Sequence, residues 1–281
     1  MAPTPVGPGE KGRDEPMSDR DDIRQLVLAA GKTALRMRAG AAVHRKADRS
    51  FVTDADLAVQ AYLIDELRKR YPQDGFVAEE QDVGRGRQSA RRLWVLDPID
   101  GTASYASGLP GWGVSVGLVE DGRAAAGWFH MPVTGEVFEA GQGIGMQFAR
   151  APEDAAAATG LLTPRPLGRH TSIFVDSRFN QRFTLGPSFP GKVRSLGTTV
   201  GHLAYVAAGC ADAAVLHDVH VWDFAAGLAM LNEAGGVMRY LDDGADVDVA
   251  DYLAGEDAVR PMLAGHPETV ARLAKLIATR E

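Results

Sequence analysis

A single cysteine, Cys210, is present in the 281 residues, so neither an internal disulfide framework nor a thiolate metal centre can be built. A reducing cytoplasm is the expected setting. No apolar run approaches the ~20 residues that span a bilayer, and the N-terminus lacks the apolar core of a secretory signal. Runs of lysine and arginine are missing too. With 30 basic against 37 acidic residues the net charge is -7, which offers no footprint for nucleic acid or an anionic membrane. The expected partner is a small molecule. Internal repeats are absent, and residues 1–18, rich in Pro, Gly and charge, read as a disordered leader with a second possible start at Met17.

What is present is ample apolar residue, 45% of the chain, enough for one large domain or two halves. An alanine-rich stretch at 151–159 marks a seam between a half spanning 19–150 and one spanning 151–281. In the first, Ile23, Leu26, Val27, Ala30, Ala34 and Leu35 form one helical stripe. A second helix, capped by Thr53 or Asp54, is expected to bury Leu57, Ala61, Ile64 and Leu67. Residues 76–78 and 93–96 read as strands, 113–131 as a hairpin around Asp121-Gly122, and 141–145 as a tight strand connection. The second half alternates strand and helix, with strands near 172–175, 193–196 and 211–216 and helices at 198–209 and 223–233. That alternation implies an α/β fold. A closing helix is expected through Val270, Leu273, Leu276 and Ile277, and Cys210 is expected to be a small buried apolar residue.

The acids carry the chemical signal. Trp94-Val95-Leu96-Asp97-Pro98-Ile99-Asp100-Gly101-Thr102 is a strand broken at Pro98, which lacks the N–H a neighbouring strand needs. Asp97 and Asp100 flank the break, and Gly101 lets the backbone approach a ligand. Glu79 and Glu80 follow another strand, Asp223 opens a helix, and Asp56 falls in a helix's first turn, where an acid also simply complements the dipole. Carboxylates without thiolates suit Mg²⁺. Paired ions of this kind assist phosphate-ester hydrolysis.

Two patterns point elsewhere. Gly113-Val114-Ser115-Val116-Gly117 has the spacing of a hydrolase nucleophile elbow, but strand-type residues continue past it where that elbow needs a helix. His217 and His220 are three apart, yet Val219 and Val221 alternate with them as in extended chain, so structural or substrate-facing histidines are expected rather than zinc ligands.

Asp97-Pro98-Ile99-Asp100-Gly101-Thr102, preceded by Trp94, resembles the first signature of the inositol monophosphatase family, and Trp222 to Gly227 with Glu233 to Gly236 resembles the second. Val52 to Asp56 and Glu79-Glu80 fall where that family places an Asp and a Glu pair, so the likeness runs from about Asp21 to the C-terminus. It implies an α/β (α+β) architecture, a layered αβαβα sandwich, in a Mg²⁺-dependent, lithium-sensitive phosphatase that is often a homodimer. Inositol monophosphate is the default substrate, and histidinol phosphate, fructose bisphosphate and phosphoadenosine phosphate are the alternatives. A non-catalytic binding or assembly homologue is the reading of another class.

By the same resemblance, Glu79, Asp97 and the Ile99 carbonyl hold one ion, and Asp97, Asp100 and Asp223 the second. A third lies near Glu79. Thr102, oriented by Asp56 and acting with Glu79, prepares the attacking water. Gly101 and Thr102 cradle phosphate, Gly197, Thr198 and Thr199 meet the polyol, and Lys46 lies near a basic position of the active-site loop. Leu216 stands where the family has an acid for a substrate hydroxyl, which leaves Asp218 or a histidine to take that role.

Overall fold

The computed structural model describes residues 17–40, 42–45, 51–80, 90–151, 154, 157–254 and 257–280. Most of the expected leader, and Lys46, lie outside them. Helix α1 (Met17–Met37) leads to the antiparallel pair β1 (Val43–Arg45) and β2 (Phe51–Thr53), then α2 (Asp54–Arg70) and β3 (Gly75–Ala78). Next come β4 (Arg92–Asp100), the short α3 (Thr102–Ala106), β5 (Gly113–Glu120), β6 (Arg123–Met131), β7 (Glu136–Gly141), β8 (Gly145–Ala149) and β9 (Ala157–Ala158). The remainder is β10 (Ser172–Phe174), α4 (Phe179–Arg182), β11 (Phe183–Leu185), β12 (Lys192–Arg194), α5 (Thr199–Ala207) and β13 (Ala213–Leu216), then α6 (Ala225–Glu233), β14 (Val237–Tyr240), β15 (Met262–Gly265), α7 (Pro267–Leu273) and β16 (Ile277–Thr279).

Strands β3 to β9 form one sheet in sequence order, antiparallel except for the parallel pair β3 and β4. A second sheet has the order β12, β10, β13, β15, β14, and its first three strands are parallel. On β4, Leu93 and Val95 enter one apolar cluster while Trp94 and Leu96 enter another. That is the two-residue alternation of a strand buried on both faces. Helices α1 and α2 cover the outer face, whereas α5 and α6 fill the space between the sheets. The outer face of the second sheet buries Ile173, Val215 and Leu263 against Phe179, Val270 and Leu273, from α4 and α7. The layers therefore run α, β, α, β, α, as the resemblance implied.

The middle helix sits close on its sheet. A Cβ added at Gly127 on β6 would lie 2.3 Å from the Ala226 carbonyl oxygen of α6, a backbone atom that cannot rotate away. Gly127→Ala is expected to cost toward the upper end of the ~1–3 kcal/mol typical of overpacking, read as a lower urea midpoint.

The structure departs from four expectations. Helix α2 buries Ala55, Asp56, Val59, Gln60, Leu63, Ile64 and Leu67, while Leu57 and Ala61 face solvent. Its phase is set by the polar pair Asp56 and Gln60 turning inward. Leu35 of α1 is likewise exposed. The closing helix ends after Leu273, and Ile277 belongs to β16, which pairs with β11. Cys210 is exposed, because the turn after α5, with Gly209 in the left-handed region, lifts it off the core.

Candidate active site

A strand places residues three apart on opposite faces. Asp97 and Asp100 escape this because β4 carries one extra residue between them. Asp97 pairs with Ser115 and Asp100 with Gly113, so three steps on β4 oppose two on β5. The bulge falls at Pro98 and Ile99 and brings both carboxylates to the side facing the middle layer. Asp223 arrives from a 3-10 turn (Val221–Asp223) just before α6, its carboxylate held by the His220 N–H at 2.7 Å. One oxygen from each of Asp97, Asp100 and Asp223 lies within 4.8 Å of the others.

Asp97 and Asp100 are buried, and among the described residues no Lys or Arg pairs with any of the three. Burial above all, then the charges of Glu79, Asp100, Asp223 and Asp56, lifts Asp97 far above the ordinary carboxylate range. Asp97 Oδ1 is buried without a hydrogen-bond partner. Burial also pushes Asp100 up to about 7, although the Thr198 hydroxyl and the N–H groups of Thr199 and Val200, at 2.9 and 2.8 Å, donate to it. Asp100 thus sits on the N-terminal turn of α5.

Around this group, Asp56 Oδ2 accepts from the N–H and hydroxyl of Thr53 at 2.7 and 2.5 Å, and its Oδ1 faces the Thr102 hydroxyl at 3.4 Å. It caps its helix and meets Thr102 at once. Thr102 Oγ1 also lies 3.1 Å from the Ile99 carbonyl. Glu79 follows β3, with its N–H on the Leu96 carbonyl at 3.3 Å. Its carboxylate stands outside the three-acid group but near enough to raise Asp97. Gly101 has φ +95°, and a Cβ there would meet the Gly197 carbonyl at 2.5 Å and that of Gly111 at 2.8 Å. Close packing of the 195–198 loop is what requires this glycine.

Thr198 caps α5 by accepting from Gly201 N–H at 3.0 Å and donates to Asp100, so its hydroxyl is engaged with the acid group. His202, which the sequence reading passed over, accepts from the Leu196 N–H at 2.9 Å and stacks on Phe174. Burial lowers it to about 4, so it anchors the loop as a neutral ring. Only tertiary contact marks it out.

A cavity of about 300 Å³ opens beside Asp223, lined among others by Thr199, Leu216, His217, Asp218, Asp176 and Arg178. Leu216 belongs to the core and forms part of this wall. His217 Nε2 lies 2.6 Å from Asp176, and Asp218 pairs with Arg182. His220 Nε2 lies 2.5 Å from Asp257 and its ring stacks on Trp222. The two histidines therefore face different acids rather than sharing an ion. Ser115 lies within β5, with no following helix to make a nucleophile elbow.

Two mixed sheets in a five-layer sandwich, with three carboxylates converging at the end of a bulged strand, define an α/β protein with an acidic cluster that could hold metal ions. The chain belongs to the inositol monophosphatase family, whose model matches residues 20–278. It is 33% identical over 194 residues to the fructose-1,6-bisphosphatase/inositol-1-monophosphatase of Thermotoga maritima, covering 68% of this chain and 71% of that protein. It is 31% identical over 237 residues to the Nus factor SuhB of Salmonella typhimurium, covering 80% and 82%. The solved extragenic suppressor protein suhB of Bartonella henselae superposes with a TM-score of 0.73 at 25% identity, covering 92% of this chain and 97% of that one. Among the described residues no helix is long and apolar enough to cross a membrane.

Proposed function

We propose that the chain is a Mg²⁺-dependent phosphatase of small phosphate monoesters, acting in the cytoplasm as a homodimer, with inositol monophosphate the first candidate substrate. One observation carries this: three carboxylates converge, two of them buried, and Asp97 Oδ1 has no donor. An uncompensated group of this kind fits hard divalent cations. Glu79, Asp97 and the Ile99 carbonyl would hold one ion and Asp97, Asp100 and Asp223 another, with a third near Glu79. Bound there, such ions supply positive charge for the phosphoryl oxygens and the departing alkoxide.

The chain's own groups do the positioning. The Thr102 hydroxyl has one proton and two acceptors, the Ile99 carbonyl and Asp56 Oδ1. As the attacking water gives its proton to the Thr102 oxygen, Thr102 would pass its own to Asp56 Oδ1, where the proton ends. Glu79, at the neighbouring strand end, orients the same water. The N–H groups of Gly101 and Thr102, at the start of α3, would cradle the phosphate. Gly197, Thr199 and the cavity wall at Leu216 would face the alcohol, with Asp176 and Asp218 as carboxylates for its hydroxyls. Thr102→Ala is expected to lower kcat by ~10²–10⁴, while Mg²⁺ affinity measured by calorimetry stays close to wild type. An unchanged kcat would remove Thr102 from the proton path.

The deciding experiment measures phosphate release from inositol monophosphate, histidinol phosphate, fructose bisphosphate and phosphoadenosine phosphate, with Mg²⁺ and with or without Li⁺. Li⁺-sensitive release from inositol monophosphate supports the first reading. The relative named as a Nus factor supports a second, a binding or assembly role. A panel silent in every arm, by a protein that binds Mg²⁺, selects it.

A further inference from the structure

Ser115 was set aside as a nucleophile, yet its hydroxyl is buried with no hydrogen-bond partner. It is also the residue directly opposite Asp97 in the β4 and β5 ladder. Directly paired residues share a face, with Cβ atoms ~4.5–5.5 Å apart. Asp97 Oδ1, likewise buried, has no partner either. An unmet donor and an unmet acceptor thus face one another across one rung of the sheet.

Leaving either group unpaired costs ~1–3 kcal/mol, and more for a charged one. Ser115 has one side-chain torsion, χ1, with which to aim its hydroxyl across the rung at the carboxylate. Space on this face is tight. Gly113, two residues before Ser115, has no room for a Cβ against Phe129, and Gly117, two residues after it, lies against the backbone of Ala225 and Ala226. The small side chain at position 115 therefore fits between the sheet and the start of α6, beneath the turn that carries Asp223.

We propose that Ser115 is a positioning residue, whose hydroxyl donates to Asp97 Oδ1 and holds the carboxylate in the rotamer that binds the metal. The inference rests on the reading of Asp97 as a metal ligand. A hydrogen bond to one lone pair of Oδ1 fixes the direction of the carboxylate and leaves the other lone pair of Oδ1 and those of Oδ2 for the cations. Loss of such an outer partner typically costs 10–100-fold in metal affinity.

The test titrates Mg²⁺ alone into the full chain by isothermal calorimetry, for wild type, Ser115→Ala, Asp97→Asn and the double variant. Ser115→Ala is expected to weaken Mg²⁺ binding ~10–100-fold. The melting temperature of the metal-free protein should fall only modestly, because removing the donor leaves Asp97 Oδ1 without its partner while the fold around it is unchanged. In the Asp97→Asn background the same change should have no further effect, since its route is gone. An unaltered Mg²⁺ isotherm for a folded Ser115→Ala overturns the proposal, as does an equal loss with and without Asp97. Absence of Mg²⁺ binding by the wild-type chain would instead overturn the metal-site reading itself.

Discussion

Asp97→Asn is expected to reduce Mg²⁺-dependent phosphate release by more than ~10³-fold while leaving the protein folded. Asp97 is the acid on which the other charges converge: Glu79, Asp100, Asp223 and Asp56 all raise its pKa. With its buried, unpartnered Oδ1 it is the most cation-dependent group of the site. The amide keeps the shape and removes the charge, so ligation suffers while packing survives. In EDTA the variant should melt at or above the wild-type temperature, because a desolvated, repelled charge has gone. Phosphate release assays and thermal melts on one preparation check both halves. Undiminished turnover would sink the metal assignment.

The metal-free protein should lose stability as pH rises through about 7, and Mg²⁺ should restore it. Asp100 is pushed up to about 7 and Asp97 is raised further by its burial and its acidic neighbours. An acid whose pKa is higher in the folded than in the unfolded chain binds more protons when folded. Its stabilisation is full below the unfolded value near 4 and is lost as pH climbs through the folded value. His130 and His202, each lowered to about 4 by burial, act in the opposite sense. They add stability as pH rises toward 6.5, and above about pH 7 they are neutral in both states. His220, raised above its usual value by its hydrogen bond to Asp223, loses its contribution in the same sense as the carboxylates. The loss from pH 7 to 9 in EDTA therefore reports the acid group together with this histidine, and we expect it to amount to a few kcal/mol. Urea unfolding at pH 6, 7, 8 and 9, with EDTA or Mg²⁺, measures it. A flat EDTA series, or an equal decline with Mg²⁺ present, would contradict the electrostatic picture of the site.

Asp97, Asp100 and Asp223 were legible because sequence order alone tied each acid to the end of a strand or the start of a helix. The break expected at Pro98 is instead a bulge within β4, which runs on to Asp100, because Asp100 still pairs with Gly113 beyond the proline. The phase of α2 was misread because Leu57 and Ala61 scored as apolar. The polar side chains Asp56 and Gln60 are in fact turned inward, where Asp56 meets Thr53 and Thr102 and Gln60 meets the Glu80 N–H. Hydrophobic periodicity weighs burial and cannot foresee a polar side chain buried for its partners. Cys210 was misjudged for a similar reason, since a turn's direction is set by packing beyond the local composition.

By itself the sequence determined the α/β alternation, through periodicity and turn residues, and, through the order of its motifs, the family and the layered fold that the resemblance implies. All of these signals are local or ordered along the chain. Only the tertiary structure decided the rest. The one-residue bulge put Asp97 and Asp100 on the same face, Thr198 turned to Asp100, Gly101 proved a packing requirement, and Ser115 stood opposite Asp97. Each depends on pairing between segments distant in sequence, where a shift of one residue changes which side chains face one another.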